Sequence, residues 1–132
     1  MIKVRRFAVF AALVAVVAAF VPAESASTGE RHLRLLKSEP AADATLDVAP
    51  RGIHLWFSEA PEVRVTTIQI TAPGSESRKL ERVTVDAEDA THIMAAADSL
   101  SGPGGYTIAW RTMSRDGHVV SGEVAFEVRA QN

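Results

Sequence analysis

The feature that most constrains this chain is a two-residue hydrophobic alternation, repeated in short runs from Gly52 onward. In 52–59, Ile53, Leu55 and Phe57 alternate with His54, Trp56 and Ser58. In the next run Val65, Thr67 and Gln69 lie opposite Thr66, Ile68 and Ile70. Tyr106, Ile108 and Trp110 alternate along 105–114, and Val124, Phe126 and Val128 do so near the end. Successive side chains of an extended chain point to opposite faces, so each run reads as a half-buried strand. Shorter candidate strands are 33–38, 82–85 and 92–95. Turn chemistry separates the runs at Pro50-Arg51-Gly52, Ala60-Pro61, Pro73-Gly74, Gly102-Pro103-Gly104-Gly105 and Ser121-Gly122. The segment 90–100 also admits a helix, but Thr91 and Ile93 favour a strand. Seven short strands in about 100 residues predict an all-β, immunoglobulin-like sandwich of two antiparallel sheets.

Ahead of these runs stands a different kind of segment. Lys3, Arg5 and Arg6 precede an uninterrupted small and apolar stretch from Phe7 to Val21, ending at Pro22. Its 15 residues are short of the roughly 20 that span a bilayer. A basic start, a brief apolar run and small residues after it describe a secretory signal. Cleavage after Ala23, Ser25 or Ser27 satisfies the small-residue rule, and an uncleaved membrane anchor is the competing reading. We therefore expect an exported chain, with a signal peptide over 1–25, a flexible leader over 26–31 and one domain over 32–130.

Charge and composition remove several functions. Three of the 14 Lys and Arg lie in the leader, leaving 11 against 16 acids. No basic stripe remains to follow phosphates, so nucleic acid is not an expected partner. The absence of cysteine excludes thiolate catalysis, disulfides and soft sulfur sites. About 100 residues suffice for one core without staples.

Chemistry must come from few residues, because the chain has only four histidines. The most suggestive group is Asp116-Gly117-His118, directly after the strand that ends Trp110-Arg111-Thr112-Met113-Ser114. Residues two apart in an extended chain share a face, so an Asp oxygen and a His nitrogen can approach one ion. Gly117 lets the backbone bend toward a ligand. Imidazole with carboxylate suits copper(II), and zinc or nickel would also accept it. Asp-Gly is equally a turn dipeptide, and both readings stand. His54 reads as a solvated strand residue and His92 as a surface or edge residue. Glu59 reads as a turn cap, and Trp56 and Trp110 as packing. Asp86, Glu88 and Asp89 read as a solvated acidic loop.

Three stretches then combine. They are His32-Leu33-Arg34-Leu35-Leu36-Lys37-Ser38-Glu39-Pro40-Ala41-Ala42, Pro50 with Ile53-His54-Leu55-Trp56-Phe57-Ser58-Glu59, and Gly104 to Arg111 continued by Ser114, Asp116, Gly117, His118, Ser121 and Gly122. Phe126 and Val128 complete the last of these. In this order and spacing the chain resembles the copper resistance protein C (CopC) family, over nearly everything after the leader except a loose middle at 72–90. The resemblance implies a seven-stranded Greek-key sandwich that carries copper outside the cytoplasm, as a carrier or buffer in copper homeostasis and resistance. It implies a copper(II) site at His32, Asp116 and His118, and transfer to a CopD-like inner-membrane permease. We expect a monomer and no enzymatic activity.

Two departures from the family pattern matter. In many members the first ligand is the mature N-terminus, and its α-amine also binds. Here the three cleavage points leave four, six or eight residues ahead of His32, which points to two imidazoles, a carboxylate and water, and to weaker binding. Arg31, Arg34 and Arg115 lie close in sequence and add to the cost of a cation. The second departure concerns copper(I). Met94 and Met113 are the only methionines after the leader, so the methionine-rich copper(I) loop of some members has no counterpart. Two other functions compete: an immunoglobulin-like interaction domain without effective metal binding, and, more distantly, a copper monooxygenase.

Overall fold

The computed structural model describes residues 32–131; the basic and apolar opening segment and its candidate cleavage points lie outside the described residues. The described chain forms β1 (Leu35–Glu39), β2 (Thr45–Leu46), β3 (Gly52–Phe57), β4 (Thr67–Thr71), β5 (Arg78–Lys79), β6 (Val83–Val85), β7 (His92–Ala96), β8 (Gly104–Met113) and β9 (Val119–Val128). They make two sheets, a four-stranded one in the order β1-β3-β7-β6 and a five-stranded one in the order β2-β9-β8-β4-β5. Each of the seven expected strands has a counterpart. The two additions, β2 and β5, have two residues each, too few to show an alternation. No helix among the described residues is long and apolar enough to cross a membrane.

The alternation of the sequence is the alternation of burial. Ile53, Leu55 and Phe57 of β3 face Ile68, Ile70, Tyr106, Ile108, Trp110, Val124, Phe126 and Val128 of the other sheet, all in one buried cluster. Each large apolar side chain so buried contributes roughly 1.5–3 kcal/mol. The segment 90–100 resolves in favour of the strand, because Ile93, Ala95 and Ala97 enter that cluster at period two. The run expected from Val65 begins two residues later. Val63–Val65 forms a 3-10 turn instead, and Val65 is exposed.

Two features place the functional region. β8 and β9 pair without interruption from Gly104↔Val128 to Met113↔Val119, so the 114–118 connection is a hairpin tip at one end of the sandwich. Phe57, the last residue of β3, packs edge-on against Trp110 of β8 with ring centres 5.1 Å apart. The end of β3 and the start of β1, which pairs with it through Leu35↔Phe57, therefore lie near the same end. A register shift between Leu35 and Lys37 lets β1 bulge there and turns Leu36 out to solvent.

Candidate metal centre

The hairpin tip is a turn built around a carboxylate. Ser114 N–H donates to the His118 carbonyl at 2.9 Å and Gly117 N–H to the Ser114 carbonyl at 3.0 Å. Gly117 sits at φ +89°, in the left-handed region that side-chain-bearing residues avoid. Asp-Gly thus serves as a turn, and the same turn holds Asp116 against His118. The Asp116 carboxylate accepts from the Ser114 hydroxyl, from His118 Nδ1–H at 2.8 Å and more distantly from His118 N–H at 3.4 Å. These donors, the Ser114 hydroxyl first and the imidazole second, hold the carboxyl down from its ordinary value to about 2. With Nδ1–H committed to the carboxylate, His118 keeps its Nε2 lone pair for a ligand. Both side chains are largely exposed.

His32 reaches this tip from the other sheet because the residues after it are pinned. Leu33 is buried in the core. Arg34 N–H donates to Ser58 Oγ at 3.0 Å, and Ser58 N–H returns to the Arg34 carbonyl at 2.9 Å. The apolar anchor and the paired bonds leave His32 pointing to the hairpin. Its ring lies edge-on to His118, with centres 5.8 Å apart and planes at 81°. Two imidazoles on one ion, at about 2.0 Å from nitrogen to metal, place their ring centres roughly 4–6 Å apart. The donor chemistry and the spacing fit a borderline divalent cation.

The fit is between neighbours, not a finished cage. Among the described residues no group of three or more His, Cys, Asp or Glu surrounds a common point. Asp116 has one oxygen on Ser114 and the other on His118, so in this arrangement it orients an imidazole and would have to exchange one partner to touch an ion itself. Ser114 was not singled out from the sequence. Its signal was a small hydroxyl two residues before an Asp in a turn, a local bonding pattern that short polar residues favour. A concavity of about 640 Å³ lies at the other end of the sandwich, lined by Asp47, Arg51, Asp98, Leu100 and Arg129, and contains none of these groups.

A family model described as the CopC domain matches residues 35–129. The chain belongs to the CopC family. Asp116 and His118 fall inside the matched span and His32 lies three residues before it. Protein YobA of Escherichia coli K12 is 37% identical to this CopC-family chain over 99 residues, covering 74% of this chain and 79% of the relative. Copper resistance protein C of Xanthomonas campestris pv. juglandis is 30% identical over 128 residues, covering 93% and 98%. Among solved structures, PcoC, a methionine-rich copper resistance protein from Escherichia coli, superposes with a TM-score of 0.64 at 27% identity, covering 74% of this chain and 99% of PcoC. The sandwich expected from the sequence is thus the sandwich of a CopC domain.

Proposed function

We propose that this protein is an exported copper(II) carrier or buffer acting in copper resistance and homeostasis. The observation that carries the reading is the approach of the His32 and His118 rings to 5.8 Å across the two sheets, beside a carboxylate already ionised and bonded to one of them. Imidazole nitrogen with carboxylate oxygen suits copper(II). His118 Nε2 and a His32 ring nitrogen supply the first two donors. Asp116 offsets part of the ion's charge, either from the His118 Nδ1 side or by exchanging that partner for the ion, and water fills the remaining positions. The kinship with copper resistance protein C of Xanthomonas campestris supports copper as the cargo. In this reading the chain binds and does not catalyse, residues 1–25 direct export to the periplasm, 26–31 form a leader, and a CopD-like permease receives the ion.

The test is a calorimetric copper(II) titration of the exported protein, compared with His118→Ala and Asp116→Ala. Loss of the imidazole should weaken binding at the tip by 100-fold or more, and loss of the carboxylate by about 10–100-fold. Unchanged affinity in both variants would remove the site and leave an interaction domain as the better reading.

A further inference from the structure

The outward face of the four-stranded sheet holds the other two histidines, and the structure corrects how both read in the sequence. His92 is no edge residue: β7 lies between β3 and β6, and His92 is 9% exposed. His54 is half-buried. Trp56 pairs with His92 and His54 with Met94 across the strands, which puts the two imidazoles on one face. Sequence reading missed this pair because its members stand 38 positions apart and only strand register joins them.

The geometry of the pair is specific. His54 Nδ1 and His92 Nε2 are 2.9 Å apart, with ring centres 5.1 Å apart and planes at 26°, so the two nitrogens point at one another. The Trp56 indole covers His92 face to face at 4.2 Å and 8°. On the far side of the His92 ring, Asp86 Oδ2 lies 3.5 Å from Nδ1, and Asp86 is itself fixed by the N–H groups of Glu88 at 2.8 Å and Asp89 at 3.1 Å. A carboxylate behind one ring nitrogen favours the proton there and leaves the opposite lone pair facing His54. Metal-binding histidines are commonly oriented by this means. Glu39, Asp86 and Asp89 lie within electrostatic reach of the pair, and Lys37 sits 4.3 Å over Trp56 and 2.7 Å from Glu39.

We propose that His54 and His92 form a second metal site, for a borderline divalent cation of the zinc(II) or copper(II) class, held between His54 Nδ1 and His92 Nε2 with Asp86 as a positioning residue. At a nitrogen–metal distance of about 2.0–2.1 Å, two imidazoles at square-planar or tetrahedral angles bring their nitrogens to roughly 3 Å of each other. The separation already present is 2.9 Å. His92 has the Trp56 indole face to face at 4.2 Å and Asp86 behind it, whereas His54 lies farther from that indole, at 5.8 Å and 19°, so His54 makes the adjustment, tilting outward until both lone pairs meet the ion. Its proton passes from Nδ1 to Nε2, which lies beside Gly52, where a Cβ would stand 3.4 Å from it. Water completes the shell. The site shares no residue with the hairpin tip and does not depend on the function proposed for it.

The experiment is a zinc(II) titration, by calorimetry and by ¹⁵N NMR of the imidazoles, on the exported chain carrying His32→Ala and His118→Ala. One equivalent should remain bound, and the His54 proton signal should move from Nδ1 to Nε2. Adding His54→Gln should weaken that equivalent by 100-fold or more, and adding Asp86→Asn by about 10–100-fold. His54→Gln is the decisive variant, because His54 is half-buried whereas His92 is buried directly under the Trp56 indole. The proposal is overturned if the double variant takes up no zinc, or if His54→Gln leaves uptake unchanged; the pair is then a proton-bridged contact that stabilises the sheet face.

Discussion

The two histidine pairs of this protein are held in opposite ways. His118 stands on an exposed hairpin tip, oriented by Asp116 two residues away, and meets His32 from a segment anchored by Leu33 and Ser58. His54 and His92 lie within a sheet, fixed by strand register, by the Trp56 stack and by Asp86 from the loop beyond β6. An exposed tip offers open coordination positions and quick exchange with solvent. A pair set between strands, with His92 held against Trp56 and His54 left to tilt, offers fewer open positions than the tip. The carrier proposed above would need the first property, which favours the tip as the place for its cargo.

The largest expected effect that separates the two is His118→Ala. It should cost the tip 100-fold or more in copper(II) affinity and leave the His54–His92 contact intact, which imidazole NMR would register as an unmoved pair of ring signals. If the signals of His54 and His92 moved as well, the two regions would not be independent. Next in size are two glycine substitutions. Gly117→Ala places a side chain at φ +89° and should cost about 1–2 kcal/mol, together with a loss of tip affinity, since the turn that joins Asp116 to His118 is strained. Gly122→Ala builds a Cβ 2.7 Å from the Trp110 ring and should cost about 1–3 kcal/mol with tip affinity unchanged once the protein is folded. Urea unfolding of both variants beside copper titration checks the contrast.

Acid tests the tip differently. The Asp116 carboxyl is depressed from 3.8 to about 2, so its contribution to folding is fully present above its unfolded value and is lost as pH falls through about 2. A ¹³C NMR pH titration of the metal-free protein should show the Asp116 carboxyl carbon in its ionised form until the pH approaches about 2. The smallest effect belongs to Ser114→Ala. Removing the leading donor should raise the Asp116 carboxyl toward its ordinary value, readable by NMR titration, with only a modest loss of metal affinity because His118 Nδ1 still holds the carboxylate.

How much of this could be read from the sequence follows from the same contrast. The core of β3, β8 and β9 was visible because Ile53, Leu55, Phe57, Tyr106, Ile108, Trp110, Val124, Phe126 and Val128 keep strict period two. β2 and β5 were not, because two residues carry no period. Asp116 and His118 could be singled out because both lie in one turn. The pinning of His32 by Ser58 could not, since it depends on the bulged start of β1. The partnership of His54 with His92 was invisible for a related reason: alternation shows which face a residue takes and nothing about its neighbour on the next strand.

The approach of His32 to His118 is tested most directly by counting the imidazoles on the ion. Pulsed electron paramagnetic resonance of the exported protein, with His54→Gln to silence the sheet pair and one equivalent of copper(II), should show two coordinated imidazoles. That count should fall to one when either His32 or His118 is changed to Ala. A single imidazole in the starting protein, or a count of two that survives both substitutions, would contradict a copper ion held between the segment ahead of β1 and the hairpin.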